Sequence, residues 1–208
     1  MARKMMELDC RDFAMQLAAK TAVPGGGSAA AYVGALGAAL CSMVGNYTLG
    51  KKAYASVEPD VRGMAERAQA VCRRLLELAD ADAEAFEPLS RAYGIPKDDP
   101  TRAQVLEQAT KHACAAPMEM MRQVCRSIDL LEEMGSKGSK MLVSDVGCGA
   151  LLARAALEAA GMNVFVNTKS LADCAYAMSL EAEADAMIAS YGPKAEEVAA
   201  DAMARIRG

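Results

Sequence analysis

Several places in the chain combine side chains whose types and spacing could do chemistry. Pro24-Gly25-Gly26-Gly27-Ser28 runs directly into an uncharged helical pattern. Free N–H groups at a helix start, with no side chains in front of them, suit an anion or the polar edge of a ring. The plainer reading is a tight turn with Ser28 as the N-cap. Asp82 falls in the middle of an apolar stripe. A carboxylate taken out of water must be paired, protonated or turned toward a cavity, so Asp82 is either half of a buried ion pair or a working group. Ser144-Asp145-Val146-Gly147-Cys148-Gly149 opens another helix, with Asp145 either capping it or lining a site. That run looks like the glycine motif of a methyltransferase, which requires a preceding parallel strand and several βα units. Only Met141–Val143 and Asn163–Val166 have any strand character, too little for such a sheet. Lys51-Lys52 closes the uncharged helix, either complementing its C-terminal dipole or offering a site for carboxylates. His112 is the only histidine and sits at the edge of an apolar face, which removes the main support for a metal site or a Ser-His-Asp triad.

The elements that must hold these groups are helices. Of the residues, 53% are hydrophobic but only 4% aromatic, with 15 Met and no Trp, so the apolar content is mostly Ala, Leu, Met and Val. These are mostly helix formers, β-branched runs are scarce, and 208 residues suffice for one core. A single all-α domain spanning 1–208, a bundle of about six to seven helices with long kinked members, is expected. The net charge of −4 disfavours nucleic acid as a partner. The seven cysteines form no CxxC pair and read as reduced cytosolic thiols used as small core residues. The N-terminus lacks the pattern of a signal peptide. Thr21 to Gly50 carries no charge and exceeds the ~20 residues that a bilayer needs, yet its Ala and Gly content points to a buried helix rather than a membrane span.

Along the chain, residues 9–20 are expected to form a first helix capped by Asp9, with Thr21–Gly27 as a loop. In the helix from Ser28 to about Gly50, Val33, Leu36, Leu40, Met43, Val44 and Tyr47 form a large stripe. Ala30, Gly34, Ala38 and Ser42 form a small one, so the helix should be touched on both sides. A third helix runs from Pro59 to about Tyr93, its stripe passing through Val61, Leu75, Asp82, Phe86 and Tyr93, with a kink from Pro88 near Asp82. A fourth follows Asp99-Pro100 to about Met134, with Pro117 as a second kink and Gly135–Ser139 as a flexible break. Then come a helix from Asp145 to Ala160 stopped by Gly161, an extended connection over Met162–Asn167, and two helices over 168–190 and 193–206.

Taken in order, the motifs resemble the cyclodeaminase family, the folate domain that follows the formiminotransferase in a bifunctional protein and also occurs alone, including stand-alone methenyltetrahydrofolate cyclohydrolases. The matching stretches are Thr21 to Ala31, Met43-Val44, Gly50 to Tyr54 and Asp82 to Phe86, then Ile95-Pro96-Lys97, Pro117, Ser144 to Gly147 and Asn163 to Asn167. One departure is Gly135-Ser136, where the family usually carries Gly-Asn. The resemblance implies an all-helical homodimer in the cytoplasm, a folate site near the subunit interface, and no metal or cofactor beyond the tetrahydrofolate substrate. It also implies one of two reactions at 5,10-methenyl-tetrahydrofolate: hydrolysis to 10-formyl-tetrahydrofolate, or formation from 5-formimino-tetrahydrofolate with loss of ammonia. The absence of a formiminotransferase segment leans toward the first. A non-catalytic folate-binding or helical assembly module is the alternative. On this resemblance Asp82 is the acid/base, and Asp145 holds the pterin amino edge or exchanges roles with it. Gly25, Gly26, Gly27 and Ser28 offer donors, Lys51 and Lys52 meet the glutamate tail, and Asn163 and Asn167 line the site.

Overall fold

The computed structural model describes residues 4–208. They form six α-helices: α1 (Cys10–Leu17), α2 (Gly26–Thr48), α3 (Glu58–Tyr93), α4 (Arg102–Lys137), α5 (Val143–Thr168) and α6 (Cys174–Arg207). Short 3₁₀ turns occupy Met5–Glu7, Lys52–Val57 and Lys140–Leu142, and no strand occurs among the described residues. The expected all-α bundle is therefore the fold. Asp9 caps α1 by accepting from the Asp12 N–H at 2.8 Å.

α2 is the central helix, packed against α3, α4 and α5. Its small residues permit this. A Cβ on Gly37 would lie 2.9 Å from the Gly149 carbonyl of α5, and one on Gly34 would press on Val124 and Leu75. Ala30, Gly34, Ala38 and Ser42 are all buried, as the small stripe predicts. The large stripe behaves differently. Val44 is buried, but Leu36 and Tyr47 are exposed, with Val33, Leu40 and Met43 half-buried. α2 is thus enclosed on its small side and open on its large one. The core beneath is rich in methionine, with Met64, Met120, Met121 and Met134 fully buried beside Leu75, Ile128 and Leu131. Each such side chain contributes about 1.5–3 kcal/mol on leaving water. All seven cysteines are free, and Cys41, Cys114 and Cys125 are core residues. Burial pushes the Cys41 thiol up to about 12.

Helix ends differ from the sequence expectation in ways that packing explains. Gly25, not Ser28, is the N-cap of α2, and Ser28 lies in its first turn. α4 continues to Lys137, because Gly135 and Ser136 remain helical and the turn falls at Gly138. α5 begins before Asp145, which sits in its first turn, and it passes through Gly161. A Cβ on Gly161 would meet Ile188 of α6 at 2.9 Å, so that glycine serves close packing rather than helix termination. Residues Met162–Asn167 are accordingly helical, not extended. α6 is one helix running through Pro193 rather than two. Tyr191 and Lys194 both bond Asp129 of α4, and Lys194 also pairs with Glu132, fastening α6 on either side of the proline. Pro88 and Pro117 likewise lie inside continuous helices.

Candidate active site

Asp82 lies two-thirds of the way along α3, and its carboxyl rests against the first turn of α2. The approach is so close that a Cβ on Gly27 would fall 2.5–2.7 Å from the Asp82 carboxyl atoms. Glycine at position 27 is what allows that contact. The Ser28 hydroxyl lies 3.3 Å from Asp82 Oδ2 and 3.1 Å from the Ala79 carbonyl, so it ties the two helices together. Burial raises the Asp82 carboxyl above its ordinary range, opposed by hydrogen bonds from the Ser28 hydroxyl and backbone N–H. No basic side chain pairs with Asp82 in an ion pair among the described residues. The buried-ion-pair reading of the sequence therefore does not account for it.

Asp82 opens into a cavity of about 180 Å³. Gly25, Gly26 and Gly27 form one wall, and Asn163 and Asn167 of α5 form another. Phe86 and Val166 flank the mouth. Asn163 Nδ2 donates to the Ala159 carbonyl at 2.8 Å. Asn167 Nδ2 donates across the cavity to the Ala113 carbonyl of α4 at 3.1 Å. The second bond exists because of Pro117. A proline has no N–H, so the carbonyl four residues earlier loses its helical partner, and here that carbonyl is Ala113. With both amide nitrogens committed, each asparagine keeps its side-chain oxygen as an acceptor.

Six of the sequence-selected residues thus meet at one cavity: Gly25, Gly26, Gly27, Asp82, Asn163 and Asn167. Ser28 stands directly behind Asp82. Asp145, Lys51 and Lys52 do not join them. Asp145 is eighteen residues before Asn163 on the same helix, about 27 Å along the axis at 1.5 Å per residue. Lys51 lies beyond the other end of α2, where its ammonium is 3.3 Å from the Ser139 hydroxyl. There Tyr54 accepts from the Lys140 N–H at 3.0 Å, a bond that holds its phenol below the ordinary range. His112 is exposed and faces a different, broader groove with Arg74 and Arg122. Among the described residues no group of three or more His, Cys, Asp or Glu could hold a metal. In the sequence Phe86 falls in the core stripe and Pro117 at a kink, and both also lie in the stretches that resemble the family. The position of Pro117 four residues after a cavity-lining carbonyl was the signal for its further role.

The profile of the formiminotransferase-cyclodeaminase family matches residues 9–186. This chain belongs to that family. It is 41% identical over 187 residues to a methenyltetrahydrofolate cyclohydrolase of Methylorubrum extorquens, a match covering 88% of this chain and 89% of that protein. It is 33% identical to the formimidoyltransferase-cyclodeaminase of Mus musculus, covering 82% of this chain and only 32% of the much longer relative. The crystal structure of a formiminotetrahydrofolate cyclodeaminase from Thermotoga maritima superposes with a TM-score of 0.82 at 30% identity, covering 93% of this chain and 96% of that one. For this cyclodeaminase-family chain, the helical bundle and the cavity at Asp82 are the setting in which any folate chemistry must be read.

Proposed function

We propose that this chain is a cytoplasmic one-carbon folate enzyme, a methenyltetrahydrofolate cyclohydrolase that opens 5,10-methenyl-tetrahydrofolate to 10-formyl-tetrahydrofolate with Asp82 as general base and acid. The observation that carries the reading is the Asp82 carboxyl, desolvated without a basic partner and turned into a cavity walled by polar groups. The identity to the cyclohydrolase relative over nearly the full length of both chains favours this reaction over its deaminating relative. The substrate has a cationic carbon bridging N5 and N10. Asp82, ionised, stabilises that charge and takes a proton from the water that adds to the carbon. As the carbinol collapses, the C–N5 bond breaks, the C=O forms, and Asp82 returns its proton to N5. The hydroxyl proton leaves to solvent, so one proton is released per turnover. Water and folate suffice, and no further cofactor takes part.

The asparagines supply the orientation. A pterin presents N–H donors on its amino edge, and the side-chain oxygens of Asn163 and Asn167 are the free acceptors of the cavity. The N–H groups of the Gly25–Ser28 turn suit the ring's carbonyl side. Asp145, Lys51 and Lys52 take no part in this reading of the cavity.

The reading includes a homodimer formed across the outer faces of α2 and α5. α2 contributes Leu36 and Tyr47, and α5 contributes Leu151, Met162 and Val166, all exposed. α2 and α5 are also the stretches long and apolar enough to cross a bilayer. A second copy covers such a face while leaving the chain soluble, and seven free thiols suit a reducing compartment. Leu36→Glu with Leu151→Glu is expected to convert the dimer to monomer in sedimentation analysis.

The deciding assay follows the methenyl-tetrahydrofolate absorbance band with purified protein. Loss of the band above the uncatalysed rate, without its appearance from 5-formimino-tetrahydrofolate, is the expected result. Appearance of the band with ammonia release from the formimino compound would transfer the assignment to cyclodeaminase. That second reading is favoured by the close superposition on the Thermotoga maritima structure. Silence with both substrates would leave a binding module.

A further inference from the structure

The cavity at Asp82 is too small for a whole folate. At about 180 Å³ it suits a fused bicyclic ring, whereas sites for drug-sized ligands run to roughly 300–1,000 Å³. A second space adjoins it, a groove of about 550 Å³ between the N-terminal segment and the outer face of α3. The two share Ala22, Val23 and Phe86 as common wall. The order of residues along α3 is informative. Asp82, Phe86 and Ser90 are four apart and therefore share one face, with Arg91 beside Ser90. From Asp82 to Arg91 the helix rises about 13 Å, comparable to an extended benzoyl-glutamate arm. Lys4 lines the groove opposite α3.

We propose that this groove is the subsite for the p-aminobenzoyl-glutamate half of the substrate, with Phe86 and Val23 holding the benzoyl ring and Arg91 and Lys4 meeting the glutamate carboxylates. The assignment rests on the folate reading above and deepens it. It places pterin, reacting carbon, aromatic ring and anionic tail in the order cavity, Asp82, Phe86, Arg91. It also supplies the tail with cations from the same protomer, which Lys51 and Lys52 do not.

The groove lining carries three carboxylates, Asp80, Glu84 and Glu87, against the two cations Lys4 and Arg91, and that sharpens the test. Glu87 forms an ion pair with Arg91, and Asp80 accepts from the Met6 N–H at 3.3 Å. Glu84 also lines the wall. In the free chain Glu87 occupies the guanidinium that the substrate carboxylate requires. Removing Arg91 and removing the charge of Glu87 must therefore act in opposite directions, which loss of a merely structural ion pair would not do.

The experiment is equilibrium binding of 5-formyl-tetrahydrofolate, and of the same compound lacking the glutamate, to wild type and variants. Arg91→Ala is expected to weaken binding of the glutamate-bearing ligand by roughly fivefold, the scale of one charge-assisted hydrogen bond discounted for exposure. It should leave the truncated ligand unaffected. Lys4→Ala should weaken the former by roughly twofold, and Glu87→Gln should tighten it by a similar factor. Equal effects on both ligands, or Arg91→Ala and Glu87→Gln moving the same way, would overturn the subsite. So would a glutamate-specific loss confined to Lys51→Ala. Wild-type turnover of the methenyl substrate, measured alongside, separates failure of the groove from failure of the folate reading. If wild type neither binds nor turns over folate, both fall.

Discussion

Gly27 and Gly37 occupy the same helix, and each is glycine because a Cβ would collide with something, but what it would strike differs. At Gly37 the obstacle is the backbone carbonyl of Gly149, fixed inside α5. At Gly27 the obstacle is the carboxyl of Asp82, the free end of a side chain that can swing away. The middle of α2 spends its small residues on holding two helices together. The N-terminal end spends them on holding a carboxyl where it is poorly solvated, which does nothing for stability. One region serves packing, and on the proposed function the other serves chemistry.

The largest expected effect breaks the chemical end alone. Asp82→Asn should reduce folate turnover by about 10²- to 10⁴-fold, the usual range for loss of a general acid–base group. The fold should gain from the same change. Burial raises the Asp82 carboxyl in the folded chain, so between its unfolded value and its folded value the native state holds more protons than the unfolded state. The contribution to stability therefore falls as pH rises through that window and stays lost above it. The neutral amide escapes this penalty, and Asp82→Asn should melt above wild type at neutral pH, with the gap closing in acid. A variant that loses both activity and melting temperature would place Asp82 in the framework instead.

The two glycines give the next pair. Gly37→Ala forces a Cβ onto backbone and should cost about 1–3 kcal/mol, lowering the melting temperature by several degrees while preserving turnover per folded molecule. Gly27→Ala should leave the melting temperature nearly unchanged, because Asp82 can rotate away, and should reduce turnover by about 100-fold. Thermal melts and active-site-normalised rates on the two proteins check both halves. If both variants lose stability alone, the distinction between the regions collapses.

How much of this was legible in the sequence follows the same division. The small stripe of α2 and the anomaly of Asp82 are periodic signals that the structure returns, whereas the stripe of α3 is buried at Val61 and Leu75 but exposed at Phe86 and Tyr93. Boundaries fared worse because one residue type serves different physics. Gly161 and Pro193 read as stops, yet Gly161 admits Ile188, and Pro193 is held in helix by Tyr191 and Lys194 on Asp129. No local pattern announces a tertiary partner. Within one protomer Asp145, Lys51 and Lys52 stand apart from the cavity at Asp82. Sequence order puts the glycine turn and Lys51-Lys52 at opposite ends of a 23-residue helix, but not which of those ends Asp82 of α3 meets. Pro117 is the intermediate case, since the carbonyl it frees is computable from the sequence while the acceptance of Asn167 there is not.

The smallest effect probes how finely the chemical end is tuned. Ser28 donates to the Asp82 carboxylate through its hydroxyl, and that bond favours the charged form against burial. In Ser28→Ala the hydroxyl's share of the opposing influence is gone, only the backbone N–H remains, and the carboxyl rises further. A general base works only when ionised, so the acidic limb of the kcat/KM profile should move to higher pH. Turnover on that limb should fall while the alkaline plateau is nearly retained. Loss of the hydroxyl also frees the Ala79 carbonyl of its second partner, a change that acts equally at every pH. The two consequences therefore separate in the profile. A displaced limb with an intact plateau assigns Ser28 to tuning Asp82, whereas a uniformly lowered profile assigns it to joining α2 and α3.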